Sequence, residues 1–431
     1  MDEKSCDVVI AAEAPEALTE ICGISLLERL LRTLQRLEVD SVTIISATPE
    51  QISQHLAAPS WARAGVAIDV RGRNPCPVTA NDVTAFKDRT FFLTVGYYDI
   101  RLLNALMEQN CTTLLVDSDP PPHALPLLKG ETRTAIGYVY RAALLRREWL
   151  SLLEPDRPLF DQLALAAERR AIGLLDAAVQ TSYVTSMRRA IRPLWFPVPA
   201  KGNAPLAERI VLDGAQNGTL DLPAILHGPI ETWIVARLCR TSITPNQITL
   251  FTGIVSVAVA VLFASGDLIA GTLLALVVGV LDGLDGKQAR VKVETTAVGR
   301  KEHVLDYMLE LTWWTALGHH FASSSQVPHA YAWLFLLVSS DLIDRAAKKN
   351  AKQNTGRNLD DVAPIDRFVR LIGGRRNIYI WMLGAGLLLG AADKAFVALC
   401  CWGAVTAAVH VLRAWSIGRQ RRGTRSKGIP H

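Results

Sequence analysis

Two regimes of hydrophobicity divide this chain. Up to about residue 230 short apolar stretches alternate with polar ones, whereas long apolar runs dominate the remainder. In the first regime, Val8-Val9-Ile10, Val42-Thr43-Ile44-Ile45, Phe91-Phe92-Leu93-Thr94-Val95 and Thr113-Leu114-Leu115-Val116 read as short buried strands. Between them, Leu26 to Leu37 and Ile100 to Met107 repeat apolar residues at helical spacing. This alternation predicts an α/β sandwich around a mostly parallel sheet, because each crossover helix can cover one face of the strands it joins.

In the second regime six spans can be drawn, at roughly 247–265, 267–284, 303–323, 329–345, 377–392 and 394–415. Loop charge sets their orientation. Lys287, Arg290, Lys292, Arg300 and Lys301 lie between spans two and three, and a longer basic run from Lys348 to Arg376 lies between four and five. The opposite loops, Ser265-Gly266 and Ser323 to Pro328, contain no Lys or Arg. With the basic tail from Arg419 to Lys427, the positive-inside rule places both termini on the cytoplasmic side of an inner or plasma membrane. Just before span one, Gly228 to Arg240 mixes Ile230, Trp233, Ile234 and Leu238 with Arg237 and Arg240, which suits an interfacial amphipathic helix.

Composition adds little to this division. Of 431 residues 50% are hydrophobic, and the net charge of +5 matters less than its placement. The opening Met1-Asp2-Glu3-Lys4 has no apolar run behind it, which predicts no cleaved leader. The seven cysteines show no metal-ligand spacing and read as reduced, structural residues, Cys400 and Cys401 lying inside an apolar helix. The expected organisation is an α/β domain over 1–200, a linker over 201–227 with Pro197 to Pro205 as its best candidate, a membrane domain over 228–418 and a basic tail over 419–431.

The candidate chemistry sits in the apolar half. Asp282-Gly283-Leu284-Asp285-Gly286-Lys287-Gln288-Ala289-Arg290 is followed by Gly299, Asp306 and Glu310. Carboxylates at a membrane boundary are costly unless something uses them. If Asp282 and Asp285 end one helix and Asp306 and Glu310 start the next, offsets of i,i+3 and i,i+4 put each pair on one face. Four converging carboxylates repel one another unless a divalent cation, Mg²⁺ or Mn²⁺, neutralises them. Gly286 and Ala289 would let a nucleotide lie against the backbone, and Arg290 with Lys287 would meet phosphate charge.

The run Asp-x2-Asp-Gly-x2-Ala-Arg resembles the signature of the CDP-alcohol phosphotransferases, integral membrane enzymes whose motif continues Gly-x3-Asp-x3-Asp. Strict counting from Gly299 lands on His303 and Tyr307, whereas three extra residues before the helix bring Asp306 and Glu310 into register. Thr244-Pro245-Asn246-Gln247-Ile248-Thr249 is similar to the family's entry into its first span, which adds Asn246 to the nucleotide-binding candidates Gly286, Ala289, Arg290 and Gly299. The resemblance implies a dinuclear metal site of Asp282, Asp285 and Asp306 with Glu310 contributing, and Glu310 in the place of the proposed base. It also implies a CDP-alcohol donor, a hydroxyl acceptor, release of CMP, contact with membrane lipids and a homodimer formed through the membrane domain. Members that use a phosphorylated acceptor bind its phosphate near Arg367, Arg375 and Arg376, although the same run also reads as a headgroup anchor.

The first domain resembles the sugar-phosphate nucleotidyltransferase fold, with Ile24 to Arg29 opening a helix soon after strand one. Its chemistry is missing. The Gly-rich, Arg-containing loop of active members is replaced by Ala11-Ala12-Glu13-Ala14-Pro15-Glu16-Ala17, and the metal-binding Gly-Asp by Gly96-Tyr97. Acidic groups there would repel a triphosphate, which points to a degenerate, structural or regulatory domain.

Other residues keep two readings. His303 is either an exposed interfacial residue or a replacement proton acceptor. Asp341 and Asp344 read as partners of Arg345, and His319 and His320 as outer-end residues unrelated to metal. The competing functional classes are an inactive membrane scaffold and an ion transporter.

Overall fold

The computed structural model describes residues 6–63, 65–73, 78–82, 89–218, 221–294 and 299–426. By contact the chain forms two units. One comprises Met1–Tyr183, Ala190–Gly214 and Val291–Thr295, and the other Val184–Arg189, Ala215–Arg290 and Thr296–His431.

The strands of the first unit follow the apolar runs. They are β1 (Asp7–Ala11), β2 (Ser41–Ser46), β3 (Ala67–Gly72), β4 (Arg89–Thr94), β5 (Thr113–Asp117), β6 (Gly137–Arg146) and β7 (Gly173–Asp176). They lie in the order β7-β5-β6-β4-β1-β2-β3. Strand β1 is parallel to both β2 and β4, with Ile10 opposite Ile44 and Leu93. Among these seven strands β6 alone runs antiparallel to its neighbours, β5 and β4. Central parallel strands are covered on both faces, which explains why Val8, Val9 and Ile10 form an unbroken apolar run rather than an alternating one.

Helix α1 (Leu26–Arg36) starts where Ser25 accepts a hydrogen bond from the Glu28 amide at 3.1 Å. Its cations Arg29 and Arg32 are buried and used internally. Arg29 donates to the carbonyls of Ile21 at 2.8 Å and Val291 at 2.6 Å, and Arg32 to that of Lys292 at 2.7 Å. The loop after β1 is closed by its own acid, since Glu13 accepts from Arg73 at 2.7 Å and from the Ala47 amide at 2.7 Å.

The second unit is helical. Its elements are α2 (Leu222–Leu238), α3 (Pro245–Ser265), α4 (Leu268–Leu281), α5 (Leu284–Lys292), α6 (Gly299–Ser323), α7 (Ala330–Thr355), α8 (Pro364–Ile372), α9 (Arg376–Leu388) and α10 (Ala392–Ser426). Three runs are long and apolar enough to cross a membrane, Pro245–Ser265, Leu268–Lys292 and Ala392–Arg419. The core between these helices is aromatic and aliphatic, centred on Phe263, Val278, Trp313, Leu317, Phe321, Leu383 and Phe396.

Helix α2 differs from a surface helix of a soluble protein. Its exposed side carries Leu222, Ile225, Leu226, Ile230 and Trp233, while His227 and Glu231 are buried. Apolar residues outward and polar residues inward fit a helix on a lipid surface that faces a polar site. The expected linker over 201–227 is largely helical, containing the helix Ala204–Gly214 and the start of α2. The six described free cysteines form no disulfide, with Cys400 buried and Cys401 exposed on α10.

Candidate functional site

Thr244 starts α3 through a capping box. Its hydroxyl accepts from the Gln247 amide while its own amide donates to the Gln247 side chain. Pro245 fills the first turn, where its missing N–H costs nothing. One turn on, the Thr249 hydroxyl donates to Asp285 at 2.7 Å. The Thr-Pro-Asn-x-x-Thr run therefore reaches the acidic motif through its last residue; Asn246 is exposed and lines neither cavity of the site.

Asp282 caps the C-terminus of α4, and Asp285 opens α5 rather than ending the same helix. Between them stands Gly283, where a Cβ would come within 2.6 Å of the Glu231 carboxyl group on α2. Any side chain there would push that buried acid away. Asp306 and Glu310 sit one turn apart on α6. Gly299 is already the first residue of α6, so the three extra residues lengthen the helix instead of preceding it. The side chain of His303 lies outside the described residues, as does the surroundings of Gly299.

Asp282, Asp285, Asp306 and Glu310 together line one enclosed cavity of about 10 Å³ with Thr249, Ser256 and Arg376. That space suits one water-sized occupant. Arg376 reaches in from the start of α9 and donates to Asp282 at 2.7 Å. Glu310 accepts from the Trp314 indole at 3.3 Å and lies 3.9 Å from Arg345.

The same four carboxylates and Arg376 also line a larger cavity of about 690 Å³. Gly286 and Arg290 line it too, and the Arg290 guanidinium lies over Gly286, 3.3 Å from where its Cβ would be. Arg290 Nε donates to the Ala215 carbonyl at 2.7 Å. Ala289 lines neither cavity. Lys287 lines the large cavity as well, but it is buried and donates to Gln216 and to the Thr232 hydroxyl, bracing α5 against α2.

Cations gather elsewhere on the large cavity. Arg188, Arg370 and Arg375 surround Asp360, and Lys348 lines the wall beside them. Burial, and then the neighbouring Arg375, push the Lys348 ammonium below its usual range. Arg367, expected among these, is exposed and lines neither cavity, because it stands on the outer face of α8 while Arg370 occupies the inner one. Asp341 pairs with Arg345 at 2.8 Å as expected, but Asp344 pairs with Lys348 at 2.6 Å and with buried His410. His319 bonds Tyr331 at 3.1 Å, and the His320 ring packs against Gly266, both away from the carboxylates.

Three residues had no sequence signal as site residues. Glu231, Asp360 and Arg188 lie far from the motif along the chain, and only packing brings them to its cavity.

Hard carboxylate oxygens around an ion-sized space fit a divalent cation such as Mg²⁺ or Mn²⁺ in donor chemistry. Among the described residues no three His, Cys, Asp or Glu side chains already converge at ligand distance. Asp282 is turned to Arg376, and Asp285 accepts from Thr249.

Residues 242–372 match the family model of the CDP-alcohol phosphatidyltransferases. The bifunctional IPC transferase and DIPP synthase of Aquifex aeolicus (strain VF5) is 26% identical over 209 residues, 48% of this chain and 47% of that protein. The chain thus spans about half the length of this curated relative. Among solved structures, the inositol-1-phosphate CTP transferase of T. maritima covers 49% of this chain and 98% of its own at 12% identity, with a TM-score of 0.35. The Mycobacterium tuberculosis phosphatidylinositol phosphate synthase with CDP-DAG bound covers 43% of this chain and 94% of its own at 22% identity, with a TM-score of 0.36. The segment 242–372, which runs from the start of α3 to the end of α8, is thus the part of this chain that matches a CDP-alcohol phosphatidyltransferase domain.

Proposed function

We propose that this protein moves a phospho-alcohol group from a CDP-alcohol to an acceptor hydroxyl, releasing CMP, in the synthesis of a phospholipid or its polar headgroup. One observation carries the reading: Asp282, Asp285, Asp306 and Glu310, from two separate stretches of sequence, together line a small cavity and also a larger one that carries several cations. Repulsion among four such groups is tolerated where a cationic substrate complex belongs.

In this reading Asp282, Asp285 and Asp306, with Glu310, hold a dinuclear Mg²⁺ or Mn²⁺ site, which when loaded supplies charge neutralisation for the donor pyrophosphate. The chain's own residues do the rest. Arg290, lying across Gly286 on the wall of the large cavity, meets nucleotide phosphate charge, and Gly286 leaves room beside it. Glu310 accepts the proton of the attacking hydroxyl. Trp314 and Arg345 orient its two oxygens. The hydroxyl oxygen then bonds to the β-phosphorus as the bond to the CMP oxygen breaks.

The acceptor enters on the cationic side, where Arg375 and Arg376 stand ready for a phosphate. The loop charges support six spans with both termini and the acidic motif on the cytoplasmic face, where a soluble nucleotide arrives. The name of the Aquifex relative couples a transferase and a synthase in one protein, which supports a headgroup pathway. In this chain the first half is read as structural or regulatory, supported by the closure of Glu13 onto Arg73 and Ala47 where a triphosphate loop would be open.

The test is CMP release by the purified full-length protein in lipid nanodiscs, offered CDP-diacylglycerol or a soluble CDP-polyol with candidate acceptors. Release that requires Mg²⁺ or Mn²⁺ and disappears in Asp282→Asn supports the reading. Metal binding with no CMP from any donor supports the scaffold instead, and metal-stimulated ion flux without CMP supports transport.

A further inference from the structure

Helix α5, which carries Asp285 and Arg290, begins in one unit and ends in the other. Its residues up to Arg290 belong with the helical unit, whereas Val291–Thr295 belong with the unit that holds the sheet. Val291 is fully buried there, and Lys292 is 7% exposed. The last carbonyls of a helix have no partner within it, and here two arginines of α1 supply one. Arg29 donates to the Val291 carbonyl at 2.6 Å. Arg32 donates to the Lys292 carbonyl at 2.7 Å and lies 3.2 Å from the Glu294 carboxylate. Guanidinium cations at a helix C-terminus are also favoured by its dipole.

Both arginines are held from behind. Arg29 is 3% exposed and Arg32 2%, and a buried guanidinium is costly unless its donors are used. Arg29 is braced by a second carbonyl, that of Ile21 at 2.8 Å, and Arg32 by Glu28 at 2.5 Å and the Ser60 hydroxyl at 2.6 Å. Directly after α5, Val293 has φ +54°. Helices commonly end on a left-handed residue, but that residue is usually Gly, since a β-branched side chain is strained there. Such a backbone persists only where its surroundings over-determine it. The contacts of Arg29 and Arg32 fall on both sides of Val293, at Val291 and Lys292 before it and at Glu294 after it.

What α5 carries gives this grip its use. Asp285 and Lys292 stand two turns apart on one helical face, and Arg290 immediately precedes the held residues. Turning or sliding the end of α5 therefore moves two side chains that line the cavities of the site. A misplacement of about 1 Å among reacting groups costs about 10²-fold in rate.

We propose that the first unit works as a clamp on this helix: Arg29 and Arg32 are positioning residues that fix the end of α5 and so hold Asp285 and Arg290 in register for phosphotransfer. The proposal rests on the phosphotransferase reading above. It gives the first unit a use that needs no nucleotidyl transfer of its own.

The experiment uses the full-length protein in nanodiscs, with CDP-diacylglycerol as donor and inositol 1-phosphate or glycerol 3-phosphate as acceptor. In Arg29→Met, which keeps the stem and removes the donors, kcat for CMP release falls about tenfold or more while KM for the donor stays within about threefold. Arg29→Lys, which can still reach one carbonyl, is intermediate. Adding Val293→Gly to Arg29→Met recovers part of the kcat, because Gly takes up the left-handed backbone without the clamp. Leu114→Ala, a cavity in the sheet core of the same unit, is the control: it lowers the melting temperature and keeps the wild-type kcat. An unchanged kcat in Arg29→Met, or the same loss of kcat in Leu114→Ala at an equal loss of melting temperature, overturns the proposal. If Arg29→Met does not fold, Arg29→Lys with and without Val293→Gly decides.

Amide hydrogen exchange separates the clamp from the reaction. In Arg29→Met the amides of 284–292 exchange about tenfold faster or more, while those of β1 and β4 keep their wild-type protection. If the wild type releases no CMP from any pair, the phosphotransferase reading fails, whereas this selective exchange still upholds the grip on α5. Equal exchange of α5 in the two proteins overturns it.

Discussion

Arg376 and Asp282 are joined by a guanidinium to carboxylate contact of 2.7 Å that places a protein cation among the acids of the motif. The positive charge that four clustered carboxylates demand is thus partly supplied by the chain itself. A metal binding there competes with Arg376 for Asp282. Arg376→Gln is therefore expected to bind Mn²⁺ several-fold more tightly, up to roughly tenfold for about 1.4 kcal/mol, by electron paramagnetic resonance titration. Turnover in the same variant falls, because the cation is also placed for phosphate. Weaker Mn²⁺ binding would show that Arg376 organises the acids rather than competing for one.

Glu310 provides the second test. Its carboxylate stands where both cavities meet, held by Trp314 and facing Arg345. Glu310→Gln should lower CMP release by about 10²–10⁴-fold, the usual worth of a general base. Glu310→Asp should retain some activity, limited by its shorter reach. Full activity in the Gln variant removes Glu310 from the base role and turns attention to His303.

Burial of Glu231 has a consequence for pH. Desolvation raises its carboxyl above the ordinary 4.5, with Lys287 opposing the shift. An acid whose pKa is higher folded than unfolded holds its proton more tightly in the native state, so its stabilisation is present below about pH 4.5 and is lost as pH rises through the folded value. Thermal melts of the detergent-solubilised protein between pH 4 and 7 should therefore fall with pH relative to Glu231→Gln. Parallel profiles for the two proteins would mean that Lys287 cancels the burial.

The buried pair of His410 and Asp344 links α10 to α7. His410→Ala leaves Asp344 with Lys348 as its remaining charged partner. A loss of about 1–3 kcal/mol is expected, read as a lower melting temperature, with His410→Gln milder because it can still donate. Equal melting of all three proteins would show that Lys348 alone satisfies the acid.

In the first unit, the closed loop at Glu13 predicts no nucleotidyl transfer. Incubation with CTP and inositol 1-phosphate, Mg²⁺ present, should release no pyrophosphate above a denatured control. Pyrophosphate release would restore catalysis to that unit.

Much of this molecule is legible in local pattern. The runs at Val8, Val42, Phe91 and Thr113 became strands, and Ile100–Met107 became a helix with the expected ends, because period and burial are decided within a few residues. Asp306 and Glu310 share one turn of α6 for the same reason, since spacing within a helix dictates which side chains are neighbours, whereas Asp282 and Asp285 stand on either side of the break between α4 and α5. What local pattern determines is which residues face one another's side of an element. Which partner they meet is decided by packing. Lys287 and Arg290 are three residues apart in one motif and line the same cavity, yet the fold ties the first to the Gln216 and Thr232 side chains and the second to the Ala215 carbonyl. Arg367 and Arg370 are likewise near neighbours, and only the orientation of α8 turns Arg370 inward. Arg188 and Asp360 are separated by 172 residues, and no periodicity links them. A charge acquires its role from the electrostatic company it keeps, and that company is assembled across long sequence distances by tertiary structure alone.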